Sequence, residues 1–346
     1  MLYSHVFLES LGYELAPNVV SSADLEQRLA PLYRQLKIPS GQIEALTGVR
    51  ERRWWDARQS MCDGSIQAGR KALDAAGLPA EEIGMLIYAG VCRDQLEPAT
   101  ACAVADGLRL SGQAEIYDVS NACLGVINGM IQVANAIELG RIRAGMVVSC
   151  ESARQIVEMT IERMISRGDM NTFRRCLATM TGGSGAVAVV LTDESITHGG
   201  HRLLGGMVRN AARFHPLCRW GPDTGIPATA PMVMDTDAPA VLENGVALGQ
   251  QTWRDFLAEL GWTNDHVDRV ICHQVGTGHR LAILNAIGLP PDRDFSTVEF
   301  LGNIGTVSLP ITAAIAEQRG FLQSGQRVAF LGIGSGLNCL MLGLEW

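Results

Sequence analysis

The sequence predicts an α/β fold built from two pseudo-symmetric halves, on three observations. Continuous apolar segments of strand length alternate with longer helical patterns. The same succession of segments returns in the second part of the chain. The composition, 47% hydrophobic and 18% charged over 346 residues with 38 glycines, suits elements buried on more than one face. Unbroken apolar strands between helices imply sheets covered on both faces, so each half is an α/β layer unit. The formal charge of −8 argues against non-specific nucleic-acid binding, for which a basic face is expected. No apolar run reaches the ~18 residues of a membrane span, and no basic segment followed by a long apolar core opens the chain. Nine cysteines in no regular framework suit a reducing compartment, so a cytoplasmic location is expected. No Cys-x-x-Cys or His-x-x-x-His spacing points to a metal.

Taken in order, residues 79–91 pair a helix-capping turn with an apolar strand, and residues 263–275 repeat that pattern at an offset of 184. Residues 114–120 read as a short strand with β-branched and aromatic enrichment. Residues 124–139 read as a buried helix ending at Gly140. Residues 140–148 are echoed by 325–331, and 183–189 by 334–340, now at an offset of 151. The first half therefore carries about thirty extra residues, a charged, Met- and Arg-rich insert around 151–181 with a helical pattern. The expected division is 1–181 and 182–346, stacked as one compact unit. A chance match between two generic α/β stretches is the competing account.

Cys123 stands between the strand at 114–120 and the helix at 124–139. A thiol at such a junction feels the positive end of the helix dipole, which favours the thiolate that attacks acyl groups. The alternative is a small, inert core residue. The repeat supplies partners. The element equivalent to the Cys123 turn lies near residue 307, where 300–310 form a Gly-rich loop opening a helix, so Asn303 is expected to face Cys123. His273 ends the strand at 270–272 on the same rim, where reactive groups collect in open α/β sheets. Singly, each has a plainer reading: a structural histidine, a turn asparagine tolerant of left-handed backbone, glycines at 334 and 336 that serve close packing. Together, Cys123, His273 and Asn303 suit acyl transfer followed by carbon–carbon bond formation. Thiolate attack on a thioester gives an acyl-enzyme, while His and Asn donors stabilise the enolate of a second thioester. The turn Gly334-Ser335-Gly336 offers an amide that, with that of Cys123, makes a separate oxyanion hole.

Several motifs resemble the thiolase-fold condensing enzymes of the ketoacyl-acyl carrier protein synthase III type, over essentially the whole length. They are residues 47–53 (Thr-Gly-Val-Arg-Glu-Arg-Arg), 118–123 (Asp-Val-Ser-Asn-Ala-Cys), 273–275 (His-Gln-Val), 302–305 (Gly-Asn-Ile-Gly) and 332–339 (Gly-Ile-Gly-Ser-Gly-Leu-Asn-Cys). The resemblance implies a five-layer αβαβα sandwich and a homodimer, with Cys123 as nucleophile beside His273 and Asn303. It also implies backbone oxyanion donors at Cys123 and Ser335, no metal or cofactor, and substrates carried on coenzyme A or phosphopantetheine. Residues 93–100 look like the thiolases that start bacterial long-chain olefin biosynthesis and the related α-pyrone-forming ketosynthases. In those enzymes a Glu at the position of Glu97 enters the partner's active site and serves as the base for an unactivated acyl thioester. The chemistry needs such a group, because no decarboxylation supplies the carbanion. A surface or interface glutamate ahead of Pro98 is the alternative.

The sequence also departs from the pattern. Leu301 stands where many relatives have His, and Leu46 precedes Thr47 where synthase III enzymes place the groups that grip coenzyme A. Arg50, Arg52 and Arg53 offer a basic cluster for a phosphopantetheine arm or an acidic carrier protein; a solvated or salt-bridged approach is the competing reading. Gly334 and Gly336 are expected to line the substrate site. Met130, Met159, Met164 and Met180 suit an acyl channel or an ordinary core equally. The expected activity is the non-decarboxylative Claisen condensation of two fatty acyl thioesters to a β-keto acid or its thioester. Formation of an α-pyrone from a β-ketoacyl thioester, a malonyl-dependent synthase III reaction, and a silent acyl- or carrier-binding partner are the alternatives. A scaffold has no physical need for Cys123, His273, Asn303 and Glu97 together.

Overall fold

The computed structural model describes residues 1–222 and 231–346. Its strands are β1 (Val6–Leu15), β2 (Asn18–Ser21), β3 (Glu51–Trp54), β4 (Ile83–Tyr88), β5 (Glu115–Asp118), β6 (Ala144–Glu151), β7 (Gly185–Asp193), β8 (His201–Asn210), β9 (Cys218–Pro222), β10 (Met232–Thr236), β11 (Arg269–Cys272), β12 (Arg327–Gly334) and β13 (Asn338–Glu345). Nine of them run in the hydrogen-bonded order β11-β12-β13-β8-β1-β7-β6-β4-β5. The order contains the repeat. Reading outward from the middle, β1-β7-β6-β4 and β8-β13-β12-β11 show the same pairings: antiparallel, antiparallel, then parallel. Beyond β4 lies β5; beyond β11 only a single parallel bridge, Val270 to Asp294, stands in the corresponding place. The two runs meet at two residue pairs of β1 and β8 and at a bridge between Leu2 and Gly205.

The helices are α1 (Ser22–Arg28), α2 (Ala30–Leu36), α3 (Gln42–Thr47), α4 (Met61–Ala76), α5 (Thr100–Leu108), α6 (Gly125–Glu138), α7 (Arg154–Arg167), α8 (Met170–Cys176), α9 (Ala238–Leu260), α10 (Thr277–Ile287), α11 (Val298–Leu301) and α12 (Ser308–Gln318). Buried residues of α6 and α12 share one core with strands of both runs, including Ile87, Val147, Val189, Phe330 and Leu342. Helices α4 and α5 cover the outer face of the first run, and α9 and α10 that of the second. The layers are thus α4/α5, sheet, α6/α12, sheet, α9/α10, a five-layer αβαβα sandwich. Strand β6 is buried at all eight positions, as a strand between two helix layers must be. No helix among the described residues is long and apolar enough to cross a membrane.

One boundary moves. A division at 181/182 would cut β7 from both of its hydrogen-bonded neighbours, β1 and β6. A division after Asp193 keeps each run whole, and we propose that placement. Residues 154–176 form α7 and α8, whose Val157, Ile161, Met164 and Phe173 pack on Leu25, Leu29 and Tyr33 of the N-terminal helices.

Candidate active site

The turn of Cys123 touches the turn of Asn303 and the loop after β12, and His273 follows the end of the parallel strand β11. The first turn carries Cys123 between β5 and α6. Ala122 adopts φ +45, left-handed backbone that costs an L-residue roughly 1–2 kcal/mol and that persists only where surrounding structure imposes it. Gly125, the first residue of α6, lies so close to β4 that a Cβ would stand 2.7 Å from Ala89 O. The second turn carries Asn303. Its N–H donates to Thr181 O and its carbonyl accepts from Gly183 N–H, both at 2.9 Å. The side-chain oxygen accepts from Gly305 N–H at 3.0 Å, which leaves the NH2 as the end free to donate. Val126 N–H donates to Thr306 Oγ1 at 2.7 Å, so the entrances of α6 and α12 touch directly.

The third turn begins at His273, whose N–H donates to Leu331 O at 2.9 Å as β11 ends. The residue is 7% exposed, yet neither ring nitrogen has a protein hydrogen-bond partner among the described residues. Buried polar atoms are normally paired. Burial, with a smaller effect from nearby His279, lowers its pKa to about 4, so the ring is neutral near pH 7 and offers one N–H and one lone pair. The loop after β12 closes the site. A Cβ on Gly334 would stand 3.4 Å from Cys123 N and 3.2 Å from Leu124 Cγ, which brings Ser335 beside the nucleophile turn. Gly336 has φ +139.

The expected ease of forming a thiolate at Cys123 needs correction. Burial pushes the thiol up to about 12, and nearby Cys218 and Glu151 act in the same direction. A backbone hydrogen bond opposes this without reversing it.

Residues 257–346 match the family described as 3-Oxoacyl-acyl-carrier-protein (ACP) synthase III C terminal. Over its whole length the chain is 53% identical to the acyl-CoA:acyl-CoA alkyltransferase of Shewanella oneidensis, with 100% of both chains covered. It is 37% identical to the acyl-CoA:acyl-CoA alkyltransferase of Xanthomonas campestris pv. campestris, again with 100% of each covered. The chain belongs to the acyl-CoA:acyl-CoA alkyltransferase family. It superposes on a cysteine-to-alanine variant of Xanthomonas campestris OleA with a TM-score of 0.94 at 36% identity, covering 100% of this chain and 98% of that one. A cysteine-to-serine variant of OleA with bound lauric acid and lauroyl-CoA gives the same TM-score and identity, with 100% of both covered. This alkyltransferase-family chain is therefore an acyltransferase with the thiolase fold.

Glu97 lies exposed in the loop between β4 and α5, next to Leu96, which is 73% exposed. The loop is anchored at both ends. Asp94 caps α4 by accepting from Met61 N–H at 2.7 Å and Cys62 N–H at 2.9 Å. Asp118 accepts from Thr100 and Ala101 N–H, both at 2.9 Å. Arg52 is a second correction. It is fully buried, and its guanidinium donates to Val20 O, Ser22 Oγ and Met180 O, so it braces the interior rather than meeting a substrate. Arg50 remains at the surface, paired with Glu299 at 2.8 Å. Met130, Met164 and Met180 are core residues and Met159 is half-buried; Leu301 is likewise core.

One polar group at the site escaped the sequence reading. Glu151 ends β6, is 4% exposed, and accepts from Val91 N–H at 2.8 Å and Cys92 N–H at 3.2 Å. A Cβ on Gly305 would stand 3.3 Å from its Cγ. Burial raises its pKa. The available signal was a carboxylate closing an otherwise apolar strand.

Proposed function

We propose that the protein joins two fatty acyl thioesters by a non-decarboxylative Claisen condensation. Cys123 attacks the carbonyl as a thiol, and its proton passes by way of His273 to the departing coenzyme A thiolate, so that His273 is neutral again when the second thioester binds. The Cys123 and Ser335 amides hold the oxyanion of that step. A second acyl thioester binds with its carbonyl oxygen toward His273 and the free NH2 of Asn303. A base removes its α-proton, and the resulting enolate carbon attacks the acyl-enzyme carbonyl, forming the C–C bond and releasing the Cys123 thiolate. The product is a β-ketoacyl thioester, which water converts to a β-keto acid. Glu97 of the partner subunit is that base, in a homodimer.

The observation that carries this reading is the buried His273 ring with two unpartnered nitrogens, taken with the contact between the Cys123 and Asn303 turns. Two further observations support it. The cysteine and glutamate replaced in OleA structures from Xanthomonas campestris stand as far apart along their chain as Cys123 and Glu97 do here. Strand β5 is an open sheet edge with Ile116 and nearby Leu96 exposed, a surface suited to a second copy. Nine free cysteines support a cytoplasmic setting.

Mass spectrometry of the purified protein with myristoyl-coenzyme A alone tests the reaction. Wild type should release a β-keto acid or its ketone breakdown product. Glu97→Ala should acylate at Cys123 and stop, and Cys123→Ala should do neither. Acylation of the wild type without condensation would refute the proposal and direct attention to malonyl- or β-ketoacyl-carrier protein as the second substrate.

A further inference from the structure

We propose that Asn338, acting through Asn121, is a positioning residue for the acyl oxyanion hole. The inference rests on the assignment of the Cys123 and Ser335 amides as its two donors. Those amides lie on separate loops from opposite halves of the chain, and a donor is useful only when held 2.7–3.1 Å from where the oxyanion will form. A chain of three side-chain amides joins the loops. Asn338 Nδ2 donates to Asn121 Oδ1 at 3.0 Å and, more weakly, to Ser335 O at 3.4 Å. Asn121 Nδ2 donates to Asn128 Oδ1 on α6 at 2.6 Å. Among the described residues the Asn338–Asn121 bond is the only side-chain hydrogen bond between the segments 119–125 and 332–338.

The ends of this chain are fixed. The Asn338 backbone pairs with Gly334 on one side and Asn210 on the other, so its side chain projects from a strand held in a ladder. Asn121 precedes the strained Ala122 by one residue and Cys123 by two. Gly336 makes room, because a Cβ there would stand 2.5 Å from Asn338 Nδ2. Linked amides polarise one another and act as a unit. The clamp therefore sets the separation of the two N–H donors, with Gly334 packed on Cys123 as the fulcrum.

The test uses the full-length protein and three variants: Asn338→Asp, Asn338→Ala and Ser335→Pro. Two rates at Cys123 are compared, acylation by myristoyl-coenzyme A and alkylation by iodoacetamide, both followed by intact mass. Alkylation needs the thiol but develops no oxyanion. Asn338→Asp and Asn338→Ala should slow acylation about 10- to 100-fold, with KM for the acyl thioester and the alkylation rate changed less than about twofold. Acylation at the wild-type rate, or acylation and alkylation falling in step, would overturn the clamp. Ser335→Pro removes the donor N–H itself. If that variant folds and acylates normally, the oxyanion assignment fails; if it is slow while the Asn338 variants are normal, only the clamp fails. Should it not fold, the Asn338 variants still decide.

Discussion

At the scale of single residues, His273 gives up the hydrogen bonds that a buried ring normally makes, which under the proposed function exchanges stability for chemistry. A neutral ring with two unpartnered nitrogens is enclosed where a charged ring would be poorly solvated, and its pKa falls from an ordinary 6.5 to about 4. The linkage has a definite sign. The unfolded chain takes up a proton as pH falls below 6.5, whereas the folded chain resists until about 4. The contribution is fully present above pH 6.5, is lost between 6.5 and 4, and is flat below that. Its full size is on the order of 3 kcal/mol. His273→Asn should therefore unfold with a shallower dependence of Tm on pH across that window, while losing condensation. A Tm profile parallel to wild type would show that the folded ring titrates normally. Arg52 makes the complementary point. A charged residue in a cluster of arginines reads as surface, and nothing short of the packing reveals that backbone carbonyls and Ser22 enclose it.

At the scale of elements, the geometry of the site follows from how tightly α6 seats on β4. Alanine has the higher helix propensity by about 1 kcal/mol, so propensity alone would make Gly125→Ala stabilising. Here the added Cβ would meet a backbone carbonyl, Ala89 O, at 2.7 Å, and neither partner can swing aside as a flexible side chain would. Overpacking of this kind costs about 1–3 kcal/mol. Gly125→Ala should lower Tm by a few degrees and slow acylation of Cys123; an unchanged or higher Tm would contradict the packing described. The same scale separates what was legible in the sequence from what was not. His273, Asn303 and the Cys123 turn could be proposed as one site because strand ends and helix starts are local patterns and the repeat supplies their register. The placement of β7 could not be read, since an apolar strand carries no mark of which neighbours it joins. The left-handed Ala122 and the buried Glu151 were equally hidden, because each depends on contacts with residues distant in the chain.

For the whole molecule, the question is whether one protomer contains a complete site. Cys123, His273 and Asn303 come from both halves of one chain, but Glu97 sits exposed on a loop held to the scaffold by Asp94, Asp118 and Glu151. That loop flanks α5 and the open edge strand β5, and Glu97 is exposed on it. A twofold dimer across this face would exchange the two loops, each serving the other's site. Mixed dimers decide the matter. A Cys123→Ala chain and a Glu97→Ala chain, carrying different affinity tags and purified in tandem from one co-expression, have each lost condensation alone. If Glu97 works across the interface, the mixed dimer regains one intact site of its two and should turn over at about half the wild-type rate. If Glu97 serves its own protomer, every site lacks one group and the mixed dimer is inactive. A monomer in sedimentation under assay conditions would exclude the exchanged arrangement outright and leave the base to be found within a single chain.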